Sequence, residues 1–164
     1  MDEVDKTQAM INYLLTCPAI KSNPLFFNFA ETKDNNKQIV VNPSDTRTNV
    51  QYIDGSVLKR DTFTLIDYKS VVYQSLPKVD NPSQYPNENV DDFLDVQSII
   101  NWIDEQNTLS NFPDFGESCI IDSIEALSNK PTLNGVDTST KPNTAKYSIS
   151  IRVTYLDNSK VIFK

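Results

Sequence analysis

The stretch at residues 146–156, K-Y-S-I-S-I-R-V-T-Y-L, constrains the fold of this chain more than any other. Tyr147, Ile149, Ile151, Val153 and Tyr155 alternate with Lys146, Ser148, Ser150, Arg152 and Thr154. Side chains along a strand point to opposite faces in turn, so this is a long strand with one apolar and one polar face. β-Branched and aromatic residues fill the apolar side, as suits a pleated, half-buried surface. A strand of an all-parallel sheet, covered on both faces, would be apolar throughout. The strand therefore belongs to an antiparallel or mixed sheet, with one face on a core and the other toward water or a partner.

The rest of the chain must supply neighbouring strands and a covering layer. Residues 57–68 return from an Asp54-Gly55 turn, a strong hairpin signal, and put Phe63 and Leu65 on one face with Thr62 and Thr64 on the other. Arg60 and these threonines match the polar side of 146–156, which predicts that the two strands share a sheet. Residues 118–127 read as a further strand and an antiparallel neighbour of 146–156. Residues 25–30 and 37–41 predict a hairpin of two short strands. Helices are expected over 2–17 and 91–107. The first carries Val4, Ile11, Leu14 and Leu15 at helical spacing, has Asp2, Glu3 and Asp5 in its opening turn, and stops at Pro18. The second carries Phe93, Val96, Ile100 and Ile103, with Asp91, Asp92 and Asp95 near its start and Trp102 off the centre of the stripe. The expected architecture is α+β: a mixed, mainly antiparallel sheet of four to five strands with two amphipathic helices packed on one face.

At 164 residues the chain is expected to be one domain, residues 1–164, with long polar loops at about 75–90 and 128–144. Its net charge of −7 and lack of any Lys/Arg run argue against nucleic acid as a primary ligand. No long apolar span or signal-peptide plan is present, so a protein that is cytosolic at synthesis and crosses no membrane is expected. Cys17 and Cys119 lie far apart in apolar settings and read as two buried thiols, with a single disulfide as the alternative.

Catalytic residue types are scarce. There is no histidine, which removes the commonest general base and metal ligand. The three glycines are isolated, so no phosphate-cradling loop exists, and the two cysteines lack metal-ligand spacing. Asp91, Asp92 and Asp95 suit a helix N-terminus, and Asp104 and Glu105 an exposed helix face. The expectation is no catalytic, cofactor-binding or metal-ligating residue, no cofactor, and a protein that binds other proteins. A hydrolase working through paired carboxylates is the enzymatic alternative; it requires Asp91, Asp92 and Asp95 to line a cleft facing another acid. A small-molecule binding domain is a third reading and requires one large internal apolar pocket.

Several stretches, taken in order, resemble the tail terminator or tail-completion proteins of tailed phages of Gram-positive bacteria, also labelled minor capsid proteins. They are L-L-T-C-P at the end of the first helix; I-D-G-S-V-L-K-R-D-T-F-T-L-I-D-Y at 53–68; I-I-N-W-I-D-E-Q-N at 99–107 followed by N-F-P; and T-A-K-Y-S-I-S-I-R-V-T-Y at 144–155. The resemblance implies a mixed sheet flanked by helices, assembled as a homo-hexameric ring at the head-proximal end of the tail. Such a ring stops polymerisation of the tail tube and joins the tail to the neck. Implied partners are the chain itself, the tail tube protein, a sheath where one is present, and a neck or head-completion protein, with DNA passing through unbound. The implied location is the virion, at the head–tail junction. A neck, head-completion or minor capsid role is the nearest alternative. Lys59, Arg60, Lys146 and Arg152, with the apolar tail Val161, Ile162 and Phe163, are the candidate assembly residues.

Overall fold

The computed structural model describes residues 3–42, 50–71 and 88–161. Asp2, the side chains of residues 3–5, most of the expected loop at 75–90, and Ile162 and Phe163 lie outside the described residues. Helix α1 spans Glu3–Leu14, followed by strands β1 (Leu25–Phe27), β2 (Lys37–Asn42), β3 (Val50–Gln51) and β4 (Val57–Ser70). Helix α2 spans Glu88–Thr108, and strands β5 (Cys119–Ala126), β6 (Thr132–Asp137) and β7 (Thr144–Asp157) complete the chain.

The alternating stretch at residues 146–156 lies in β7, which pairs antiparallel with β4 from Val57↔Asp157 to Ser70↔Thr144. This two-strand spine fixes the register of everything else. On its outer side β7 pairs first with β5 and then, further along, with β6, both antiparallel. On its own outer side β4 pairs with β2 and, further along, with β3. The sheet thus has seven strands, more than the four to five expected. They occupy five positions across it, because β2 with β3, and β5 with β6, are successive pieces of the same lane.

Two further expectations fail. The first is the hairpin of residues 25–30 with 37–41: β1 runs parallel to β2, with Leu25↔Lys37 and Phe27↔Ile39. The chain leaves β1 at Asn28, whose φ of 63° is left-handed, where the Phe29 N–H donates to the Phe27 carbonyl at 2.7 Å. This tight turn ends the strand and throws Phe29 outward, 84 % exposed. Second, the loop expected at 128–144 contains β6. Leu133 and Val136, its only apolar side chains besides the buried Pro131 before it, are exposed. An edge strand that buries nothing carries no alternation for a sequence reading to find.

One sheet face holds the core. Register places Ile39, Phe63, Ile151 and Ile124 on it, with Leu65, Ile149, Val153 and Tyr155 alongside. The helices add Met10, Tyr13 and Leu14 from α1, and Val96, Ile99, Ile100 and Ile103 from α2, to the same cluster. Both helices therefore pack on one face, as expected. α1 is shorter than the reading of 2–17, because the chain turns after Leu14 with Cys17 N–H bonded to the Leu14 carbonyl. α2 is tied to the outer lane by side chains: Asn107 Oδ1 accepts from the Ile124 N–H at 3.0 Å, and Gln97 Nε2 donates to the Asn129 carbonyl at 2.9 Å. No described helix is long and apolar enough to cross a membrane.

Candidate assembly face and buried ion network

The second face of the spine is polar by register. Arg60 stands opposite Thr154, Thr62 opposite Arg152, Thr64 opposite Ser150, Ile66 opposite Ser148, and Tyr68 opposite Lys146. Three of the sequence-nominated residues, Arg60, Lys146 and Arg152, are therefore brought onto one surface. Arg60 is exposed, Lys146 and Arg152 are half-buried, and Glu125, the register partner of Arg152 on β5, reaches it at 3.9 Å. In a chain of net charge −7, this face sets the three cations Arg60, Lys146 and Arg152 beside the acids Glu125 and Asp137. Its centre is less open than an unpartnered strand face would be: Thr62 and Thr154 are buried, and Thr62 is flanked in register by the longer side chains of Asn42 and Arg152.

Lys59 falls on the opposite face, level with Tyr155, because neighbouring residues of a strand point opposite ways. Its ammonium donates to Asp157 Oδ2 at 2.8 Å. Burial alone would raise the Asp157 carboxyl, but the bond from Lys59 and those from the Ser159 hydroxyl and N–H outweigh it and hold the group well below the usual carboxylate range. Unfolded carboxyls of this type titrate near about 3.9. A depressed folded value contributes stability that is present above that range and lost as pH falls through it. Asp54 and Asp137 have the same sign, each held low by the hydroxyl and N–H of the serine two residues on. Asp157→Asn is accordingly expected to lower the melting temperature at neutral pH and to flatten, without abolishing, its fall below about pH 4. Melting curves of both proteins across that range check this; parallel curves would remove Asp157 from the account. Val161 is half-buried beyond the end of β7.

Sequence reasoning missed a second constellation. Lys37 on β2 is 0 % exposed and pairs with Asp67 on β4, 1 % exposed, at 3.1 Å. Next to it on β4, Lys69 binds Asp95 of α2 at 2.6 Å and Asn35 at 2.8 Å. Burial raises the Asp67 carboxyl, while the neighbouring Lys37 and Lys69 pull it back. At the other end of the spine, Lys6 of α1 donates to the Tyr155 hydroxyl at 3.0 Å, and that hydroxyl donates to Asp61 at 3.1 Å. The signal lay in strand parity: Asp61, Asp67 and Lys69 are an even number of residues from Phe63 and Leu65, and so share the core face. These networks fasten one helix to each end of the sheet.

Among the described residues, the carboxylates considered for hydrolysis do not line a cleft with another acid. Asp91 is exposed, Asp95 is bound to Lys69, and the acid nearest Asp95 through that lysine, Asp67, is sealed from solvent. Among the described residues no group of three or more metal-ligating side chains converges. Cys17 is a buried free thiol and Cys119 a half-buried one, so of the two thiols expected to be buried only Cys17 is sealed in the core. No protein-family model matches the chain, and no curated protein does.

Proposed function

We propose that this chain is a structural virion protein, a tail terminator that assembles with copies of itself into a hexameric ring on the head-proximal end of a phage tail. One observation carries the reading. The stretches that resemble that family coincide with the residues that hold the architecture together. The D-G-S turn and the F-T-L segment lead into and along β4, and the closing A-K-Y-S-I-S-I-R-V-T-Y stretch is β7, its partner over the whole spine. In the W-I-D-E-Q-N segment, Trp102 meets Tyr13 of α1 with ring centres 5.1 Å apart. Gln106 accepts from the Asn111 side chain at 2.5 Å, and Asn107 ties α2 to β5. In the N-F-P turn, Pro113 is buried and Phe112 packs on the core.

In this reading the sheet's polar face, with Arg60, Lys146 and Arg152, meets a neighbouring subunit, and the excess of acidic groups leaves passing DNA unattracted. The protein carries no reaction; its work is stopping a polymer and presenting a surface to the neck. Sedimentation and negative-stain imaging of the purified chain test the self-assembly. A closed ring of uniform size is expected, dissociating when Arg60→Glu and Arg152→Glu are combined. Neither residue belongs to the hydrophobic core, and a long surface pair such as the half-buried Arg152 with the exposed Glu125 contributes only about 0–1 kcal/mol, so the monomer should stay folded. A chain that remains monomeric at every concentration contradicts the ring; a ring unchanged by both substitutions moves the contact to another surface.

A further inference from the structure

We propose that Asn134–Gly135 is a self-modifying site, at which the Asn134 side chain of the folded protein converts through a cyclic imide to aspartate and isoaspartate. The reaction begins when the backbone nitrogen of the following residue loses its proton and attacks the side-chain amide carbon. A new C–N bond closes a five-membered ring, and the side-chain nitrogen leaves as ammonia. Water then opens the ring at either carbonyl, giving aspartate or, when the backbone bond is the one broken, isoaspartate. The net change is one water consumed and one ammonia released, with no oxidant or cofactor.

Three features of β6 leave this path open. First, the register passes from Leu133↔Tyr147 directly to Val136↔Ala145. Asn134 and Gly135 therefore bulge opposite the single residue Lys146, where the regular pairing register is broken and the backbone departs from ladder geometry. Second, both residues are exposed, so base and water reach them. Third, Gly135 has a φ of 133°, and among the described residues no atom beyond its chain neighbours lies within 4 Å of the place a Cβ would take, so the peptide has room to turn toward the Asn134 side chain. The Asn134 side chain is held through its nitrogen, which donates to the Ser148 hydroxyl at 2.7 Å.

The chain contains its own control. Asp54–Gly55 can close the same ring, with loss of water in place of ammonia. There Gly55 is buried, its N–H donates to the Tyr52 carbonyl at 3.1 Å, and Asp54 Oδ1 accepts from the Ser56 N–H at 2.9 Å and its hydroxyl at 2.6 Å. The nitrogen is occupied and the carboxylate is pinned by Ser56, so the two cannot meet without breaking these bonds. Conversion at Asn134 adds a negative charge facing Lys146 and close to Asp137, and isoaspartate also adds a methylene to the backbone of the bulge. This inference rests on local geometry and holds whether or not the chain builds a ring.

The full chain, folded and in denaturant, is incubated at mildly alkaline pH, fragmented, and read by mass spectrometry together with enzymatic methylation of isoaspartate. Asn134 is expected to convert in the folded protein at close to its rate in denaturant. Isoaspartate at Asp54 should form many-fold more slowly in the folded protein than in the unfolded. Asn134→Gln, which keeps an amide donor but disfavours ring closure, should remove the signal from this segment. An Asn134 that converts only in denaturant, or an Asp54 that reacts as fast as Asn134 in the folded chain, overturns the assignment.

Discussion

Ile151→Asp is expected to abolish the cooperative thermal transition of this protein. Ile151 is 0 % exposed and sits at the middle of the spine, between Phe63 on β4 and Ala126 on β5. A carboxylate there has no cationic partner in register, and leaving an unpaired charge in a packed interior costs more than a small domain's whole margin of stability. Ile151→Ala separates charge from volume: it removes methylenes only and should leave a folded protein destabilised by about 2–5 kcal/mol. Far-UV circular dichroism with heating distinguishes them. If the aspartate variant melts like the alanine variant, β7 does not bury that face as described.

The second large effect lies in the ion pair. Lys37→Met alone strands Asp67 in the interior, and Asp67→Leu alone strands Lys37. Each is expected to cost about 3–5 kcal/mol, the usual result of removing one partner of a sealed pair. Replacing both together removes the buried charges along with their desolvation, so the double variant should be near neutral or more stable by about 1–4 kcal/mol. Denaturant titration of the four proteins gives the coupling directly. Additive losses would mean that the two groups do not depend on one another and that water reaches them. Lys69 is the neighbouring cation that softens the effect of losing Lys37, because it too acts on Asp67.

Much of this fold is legible in the sequence wherever burial imposes a period. The alternation of 146–156, the Asp54-Gly55 turn and the stripe from Phe93 to Ile103 are each written by a face that must be apolar, and β7, the β3–β4 hairpin and α2 stand where those signals put them. What is illegible has no such constraint. β6 buries no apolar side chain, so its six residues look like the turn-rich segment around them. L-F-F at 25–27 looks like a core strand, yet Phe26 and Phe27 are exposed, and nothing local distinguishes a parallel neighbour from a hairpin. The buried ions are an intermediate case. Parity places Asp67 with Leu65, but charge argues for solvent, and only the arrival of Lys37 from another strand resolves the conflict. For the candidate assembly face, alternation identifies Arg60, Lys146 and Arg152 as sharing a surface, while Lys59 is placed on the other by the same rule.

The most direct test of the proposed role is to add the purified protein, carrying a visible label, to isolated phage tail tubes and to image where it sits. A single ring is expected at one end of each tube, the end that receives the head, with tubes that no longer lengthen when more tube protein is supplied. Label found only on the neck or portal side, or tubes that continue to grow with the protein bound, would contradict it.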